Sequence, residues 1–336
     1  MDFEIIKGLV SIITPCYNGE THIFRLLDSV LSQDYPKIEM FVVDDGSKDR
    51  TREIVEQYSE KFQAKDYILH YIYQDNAGQA AAINRALPLV KGEYLIWPDA
   101  DDYYSSPSAF STFVKAFESL DDSYAIVRCG ECWVDEKSLQ VIRNYKFNIN
   151  QEHIFEEYFT GKESIAMAGL CMVRMSMFDK VNTERKIYDK RQPQNFQMIL
   201  PLAYSYKMFT LDKVLFARLI RSNSHSRHIA SYEQHKKDFE GYKDILYHTF
   251  DKMEDMKDAD RENAKKLSSI HCLTGKLYYA LKFGNPQEAH QYAKSLRTLG
   301  VRQTEAGMIR LWLVYCPPLL KVFDYIVDRL RNRFKK

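Results

Sequence analysis

Gly8-Leu9-Val10-Ser11-Ile12-Ile13-Thr14 and Ile38-Glu39-Met40-Phe41-Val42-Val43, with Ile23, Leu26, Leu27, Val30 and Leu31 between them, are the stretch on which the fold turns. The two runs are short, apolar and rich in β-branched residues, the length of buried strands. The intervening apolar residues recur at i, i+3, i+4, i+7 and i+8, the stripe of one helix face. The alternation continues through strand-like runs at Tyr67–Tyr73 and Tyr94–Trp97. Ile54, Val55 and Tyr58, then Ile83, Ala86, Leu87 and Val90, mark the helices between them. Strand, helix, strand, helix at this spacing predicts right-handed crossovers, hence an α/β, doubly wound, mainly parallel sheet with helices on both faces. Functional residues of such sheets collect in the loops that follow the strands.

Three of those loops carry chemistry. Thr14-Pro15-Cys16-Tyr17-Asn18 follows the first strand, Asp44-Asp45-Gly46-Ser47 the second, and Asp99-Ala100-Asp101-Asp102 the fourth. In a doubly wound sheet all three converge on one edge. A carboxylate beside a glycine that permits a tight turn can accept from a nucleobase N–H or a ribose hydroxyl. A tyrosine in the first loop can lie flat against a base. Asp99, Asp101 and Asp102 offer hard oxygen ligands suited to Mg²⁺ or Mn²⁺ bridging phosphate oxygens. Each loop alone has an ordinary explanation: Asp-Gly-Ser is also a turn and helix cap, and clustered carboxylates commonly sit in water. Three of them at successive strand ends favour the functional reading.

The stretches Val10–Asn18, Val42–Asp49 and Asn76–Ala80 with Asn84, and Gly92-Glu93-Tyr94 leading to Asp99-Ala100-Asp101-Asp102, resemble the family 2 glycosyltransferases of bacterial type. The resemblance is specific over residues 8–110, weaker to about 228 and absent beyond. It implies the nucleotide-diphospho-sugar transferase (GT-A, Rossmann-like) fold and a metal-dependent, inverting transfer of a sugar from a nucleoside diphosphate donor, UDP-linked. The acceptor would be a hydroxyl of a glycan or lipid-linked saccharide, the donor group a hexosyl or N-acetylhexosaminyl unit, and the setting polysaccharide biosynthesis. Carried over by position, Thr14, Pro15, Tyr17 and Asn18 match the loop that wraps the nucleobase, and Asp45, with Gly46 and Ser47, matches the aspartate that accepts from the uracil ring. Asn76, Gly78, Asn84 and Ala100 complete the nucleotide-binding set. Asp99 and Asp101 match the Asp-x-Asp element, with Asp102 closing it, as ligands of Mn²⁺ or Mg²⁺. Arg218, Arg221, His225 and Arg227 resemble the late loop that closes over the donor diphosphate, with Arg227 on the nucleotide and His225 a further metal ligand.

Two departures stand out. Many members read Ala-Arg-Asn where this chain has Ala82-Ile83-Asn84, so another cation must serve the phosphates. Inverting members usually place an acid, often Glu-Asp, before an amphipathic helix, where it takes the acceptor's proton. The matching place reads Gln194-Asn195-Phe196-Gln197-Met198, and neither amide accepts a proton at neutral pH. Asp189 is the offset carboxylate that could do this work, with Gln194 and Asn195 orienting the acceptor. A nucleotide-sugar-binding protein without transferase activity is the rival reading. Dehydrogenase and kinase are remote, since G-x-G-x-x-G and the P-loop are both absent.

The rest of the chain sets bounds. Its 336 residues suffice for a large α/β domain with an appendage, and a core of that size needs no staples. A formal charge of +1 leaves no global field for nucleic acid, and the aromatic content argues against disorder. Six scattered cysteines do not read as a disulfide framework and point to a reducing compartment. Cys129-Gly130-Glu131-Cys132 has no partner pair for zinc and sits in an apolar run, so these cysteines read as core. Met1–Gly8, with Asp2, Glu4 and Lys7, does not read as a signal peptide, and Leu311–Leu320, broken by Pro317-Pro318, is too short to span a bilayer. The expectation is a cytoplasmic protein.

A helix is expected over Ser108–Leu120 and a strand or hairpin at Tyr124–Val134, followed by a less regular stretch to about Asn223. Beyond Ile229 long polar and amphipathic helical patterns take over, with Gly284 as a stop and Asn285-Pro286 opening the next helix. The expected organisation is a catalytic domain at 1–228 and a helical extension at 229–336. The last segment, Val301–Lys336, holds eight basic residues against three acidic ones. A basic amphipathic tail can lie at the inner face of a membrane, or it can dock on the protein itself or on a second copy.

Overall fold

The computed structural model describes residues 3–161, 168–188, 194–220 and 231–301. The first apolar run forms β1 (Ile6–Cys16), in which every residue from Leu9 onward is buried. Helix α1 (Ile23–Leu31) sinks Ile23, Leu26, Leu27 and Val30, the expected stripe, and β2 (Ile38–Asp45) is buried along its whole length. Strands covered on both faces explain why these runs are continuously apolar. Short helices α2 (Thr51–Gln57) and α3 (Ser59–Gln63) lead to β3 (Ile68–Gln74), and α4 (Gln79–Ala86) leads to β4 (Gly92–Ile96). The α4 helix stops at Ala86, short of the Val90 that its periodicity suggested. Pro88 has no N–H for a further helical bond, and Leu87–Leu89 tighten into a 3₁₀ turn instead.

The chain continues with β5 (Tyr103–Tyr104), α5 (Ala109–Ser119) and the hairpin β6 (Tyr124–Asp135) and β7 (Val141–Tyr145). Among its described residues, the stretch read as less regular holds a run of regular elements: α6 (Phe155–Thr160), β8 (Cys171–Arg174), α7 (Met175–Val181), α8 (Asn195–Ser205) and β9 (Lys207–Ile220). These elements carry little readable pattern: β8 is only four residues long and α8 is buried on nearly every side, so neither shows a one-sided period. Cys129, Cys132 and Cys171 are buried thiols of this half.

The sheet runs β3-β2-β1-β4-β8-β6-β9-β5, with β7 paired to β6. The β3-β2-β1-β4 half is parallel, whereas β8 is antiparallel to both β4 and β6. Parallel strands end at one edge, so the loops after β1, β2, β3 and β4 open side by side. That edge carries the candidate site.

The chain divides into two compact units, Met1–Ser226 with His248–Lys257, and Arg227–Tyr247 with Asp258–Lys336. The second unit is helical, drawn from α9 (Tyr232–Lys252), α10 (Asp258–Lys282) and α11 (Pro286–Thr298). Its core gathers Leu277, Ala280, Ala289, Ala293 and Leu296. Gly275 lets α10 approach α9 closely, since a Cβ there would meet the Phe239 ring at 2.1 Å. Gly284 has φ +71°, and α11 starts with Asn285 as cap and Pro286 at its first position. No helix among the described residues is long and apolar enough to cross a membrane. The basic tail beyond Val301 lies outside the described residues.

Candidate active site

Four loops at the parallel edge are sewn to one another. Asn18, in the left-handed region at φ 51°, receives at its side-chain Oδ1 the N–H of Lys48 (2.9 Å), while its own N–H donates to Ser47 Oγ (2.8 Å). Gly19 N–H donates to Thr51 Oγ1 and Glu20 N–H to Asp49 Oδ2, so the loop after β1 lies along the loop after β2. Asp45 then reaches the loop after β3. Its Oδ1 accepts from Gln74 Nε2 and Ala77 N–H and its Oδ2 from Gly78 N–H, each at 2.8 Å. Gly46, at φ +81°, is required there, because a Cβ would come within 2.8 Å of the Asn76 backbone nitrogen. Gln79 Nε2 extends the chain of bonds to Asp99 Oδ1 at 3.3 Å.

The structure sorts the expected nucleotide-binding residues by accessibility. Tyr17 is 50% exposed at the rim, whereas Thr14 and Pro15 are buried in the end of β1 and the Thr14 hydroxyl has no hydrogen-bond partner. Asn76 donates to the Asp45 carbonyl, and Gly78 caps α4 at φ 97°. Asn84 is turned away from the edge: its amide brackets Ile187, donating to the carbonyl at 2.7 Å and accepting from the N–H at 2.8 Å.

The loop after β4 is different in kind. Asp99 and Asp101 are half-buried and Asp102 is buried. Burial, then the charge of Asp101, pushes the Asp99 carboxyl up to about 7 against the opposing pull of Arg218. Burial and the charges of Asp101 and Asp99 likewise lift Asp102 well above the usual carboxylate range, and its Oδ1 accepts from Leu219 N–H at 3.1 Å. Asp102 thus ties the acid loop to β9. The Cys16 thiol is pushed up by burial and then by Asp44, Asp49 and Asp101, so charges from the loops after β2 and β4 both bear on the end of β1.

Among the described residues no three His, Cys, Asp or Glu side chains converge as a metal cage. Two crowded carboxylates, Asp99 and Asp101, nonetheless fit Mg²⁺ or Mn²⁺, which take one or two carboxylates and complete their shell with phosphate and water. Arg218 stands beside this loop, its Nη2 bonded to Glu131 Oε2 at 2.6 Å. Arg221, His225 and Arg227 lie outside the described residues, as does Asp189. Gln194 is buried at the start of α8. Asn195 is carried to the end of β4, where its Oδ1 accepts from Trp97 Nε1 at 2.8 Å.

Residues not anticipated from the pattern complete the framework: Gln74 and Gln79, which contact Asp45 and Asp99, and Trp97, which orients Asn195. All three sit at the end of a strand or within a few residues of one, which was the available signal.

The family model for glycosyl transferase family 2 matches residues 11–181, just over half the chain. The chain belongs to this family. An uncharacterized glycosyltransferase of Rickettsia typhi is 39% identical over 130 residues, which are 39% of this chain and 38% of that protein. The chain spans less than half the length of the curated relatives it matches first. TarS of S. aureus, in complex with UDP-GlcNAc, superposes with a TM-score of 0.58 at 19% identity, over 87% of this chain and 81% of its own. The mannosyltransferase PcManGT from Pyrobaculum calidifontis, in complex with GDP-Man and Mn²⁺, gives 0.54 at 19% identity, over 100% and 91%. At these identities the likeness shows the shared GT-A fold of the family.

Proposed function

We propose that this family member is a metal-dependent, inverting glycosyltransferase that moves a sugar from a UDP-linked donor to a hydroxyl of a glycan or lipid-linked saccharide. The observation that carries this reading is the continuous hydrogen-bonded rim formed by the loops after β1, β2, β3 and β4, with Asp45 at its centre and the acid loop at its end. Three of the four acceptor positions of the Asp45 carboxylate are filled by protein donors, so room is left on Oδ2 for one more N–H. The uracil ring presents one such donor, and guanine presents adjacent ones. Tyr17 covers the exposed face of the base. TarS was solved with UDP-GlcNAc and PcManGT with GDP-Man, so proteins of this fold are found with either nucleotide.

Asp99 and Asp101 are the proposed ligands of Mn²⁺ or Mg²⁺. An ion held by these two carboxylates would supply the positive charge that stabilises the departing UDP. Arg218, whose charge bears on Asp99 and Asp102, is the proposed cation that Ile83 does not supply. The acceptor oxygen forms a bond to the anomeric carbon in line as the bond to the β-phosphate oxygen breaks, and the hydroxyl proton passes to a base proposed as Asp189. Asn195, held by Trp97, orients the acceptor. A second reading, nucleotide-sugar binding without transfer, is favoured by one observation: the N-terminus of α8 presents the amides of Gln194 and Asn195 where an acid is expected. Cytoplasmic placement, with the tail contacting a membrane surface or a second copy, and the domain division at 228 belong to this proposal.

The test is a thermal-shift screen of nucleotide sugars with and without Mn²⁺, followed by UDP release on the hits. Metal-dependent stabilisation by a UDP-sugar and acceptor-stimulated UDP release are the expected results. Stabilisation without release with any acceptor would select the binding protein, and no shift with any nucleotide would defeat both readings.

A further inference from the structure

A cavity of about 400 Å³ opens within the first unit between the end of α7, residues 182–188, one face of α8 and residues 248–256. Its size falls in the range of small-molecule sites, roughly 300–1,000 Å³. It is not part of the nucleotide edge, and its wall is built rather than incidental. The Asn182 amide brackets Lys186, accepting from its N–H (3.0 Å) and donating to its carbonyl (3.1 Å). Asn84 does the same for Ile187, and Gln197 does it for Tyr188 at 2.6 and 3.0 Å. Beneath them the buried Arg185 guanidinium binds both carboxylate oxygens of Asp179, at 2.7 and 2.8 Å, and the Val90 carbonyl. Three consecutive residues are therefore each held by both backbone groups through side-chain amides, which preorganises the wall at low entropic cost to a ligand.

The lining chemistry selects the ligand. Lys180, Lys186 and Lys252 are balanced by Glu184, Glu254 and Asp255, so the cavity has no net charge with which to hold a phosphate or a nucleotide. Polar side chains dominate the lining, which disfavours an alkyl chain. Tyr188 and His248 stack at 4.0 Å between centroids, 16° from parallel, presenting an aromatic platform whose negative face attracts the C–H edge of a sugar ring. Pro201, also in the wall, has no N–H for the carbonyl of Gln197 one turn back, which releases an acceptor from the helical ladder. Charge-balanced hydrogen-bonding groups around an aromatic face suit a neutral, polyhydroxylated ligand.

We propose that this cavity is a binding site for a neutral oligosaccharide, holding a distal part of the acceptor. Gln197 follows Asn195 by two residues, so the cavity and the Asp99 loop share the first turn of α8. The acceptor role rests on the transfer reading above; the ligand class does not.

Saturation-transfer NMR on the full chain tests it, with maltotetraose, chitotetraose and mannotetraose at millimolar concentration and no nucleotide. Two variants accompany it. Ser205→Trp fills the cavity from an exposed rim position, and His248→Ala removes half the platform. Binding of at least one oligosaccharide, weakened about tenfold or more by each variant while the UDP–Mn²⁺ thermal shift stays as in the wild type, is the expected result. Absence of binding by all three, or binding that neither variant weakens, overturns the site. Oligosaccharide binding in a protein that shows no nucleotide-dependent shift supports the site and overturns its acceptor role.

Discussion

The loop after β2 spends its carboxylates on the protein, whereas the loop after β4 crowds its own against one another. Asp44 accepts from Ser47 N–H and the Tyr71 hydroxyl, and Asp45 from Gln74, Ala77 and Gly78. Across the edge, Asp99 accepts a single long bond from Gln79 and lies within reach of the Asp101 charge. Both loops follow parallel strands, both are acidic, and both are partly buried, so position in the fold does not account for the contrast. The supply of backbone N–H groups does. Gly46, at positive φ, lets the loop after β3 approach closely, and the successive amides of Ala77 and Gly78 in that loop turn toward Asp45, which makes a rigid acceptor for a specific hydrogen bond. The β4 loop instead sets Asp99, whose one bond is from the Gln79 side chain, beside the charge of Asp101, which suits a divalent cation delivered with its own phosphate ligands.

The sharpest way to break the comparison is to remove Asp101. Asp101→Ala is expected to cut UDP-sugar turnover by about 100-fold or more, a loss of roughly 3 kcal/mol of transition-state stabilisation, with the thermal midpoint without ligand unchanged or raised. Chelation of the metal should abolish the UDP-induced shift of the wild type. Turnover kept in the variant would remove the metal from the acid loop. Asp45→Asn acts on stability as well as binding, because the new NH₂ would face N–H donors that the carboxylate now satisfies. A loss of about 1–3 kcal/mol in urea unfolding is expected, together with loss of the uridine nucleotide shift. An unchanged unfolding midpoint would show that the loop after β3 does not depend on Asp45.

How much of this was legible in the sequence follows the same division. The parallel half of the sheet was readable because β1 and β2 are continuously apolar and α1 has a clean one-sided stripe. The acid loops were readable as motifs, but their opposite treatment was not, since it depends on donors such as Gln74, Ala77 and Gly78 that lie some thirty residues from Asp45. Asn84 shows the limit from the other side. It stands in a motif position, yet its amide is committed to Ile187, 103 residues away. The mixed half of the sheet, where β8 is antiparallel to its neighbours and β6 parallel to β9, was obscured because short buried elements such as β8 lose the periodicity that separates helix from strand.

A smaller effect of opposite sign sharpens the contrast. Asp99→Asn removes one of two crowded negative charges and leaves an amide that can still accept from Gln79. In metal-free protein the unfolding free energy should hold or rise by up to about 1 kcal/mol, whereas Asp45→Asn lowers it. Equal losses from the two substitutions, measured side by side in urea, would mean that the loops do not differ as described.

The least of the expected effects is acid sensitivity of the satisfied loop. Burial raises the Asp49 carboxyl, but the Thr51 hydroxyl and the N–H groups of Glu20 and Thr51 outweigh it and hold the group below its ordinary value of 3.8. The native state therefore resists protonation more than the unfolded chain does. Its stabilisation is complete above the unfolded carboxylate's range and drains away as pH falls through the lower native value. Thermal midpoints of the wild type should accordingly drop more steeply below about pH 4 than those of Asp49→Asn, which has no such proton to take up. Parallel curves would show that the bonds from Thr51 and Glu20 do not discriminate between the charged and neutral carboxyl, and that the bracing of the β1 and β2 loops is geometric rather than ionic.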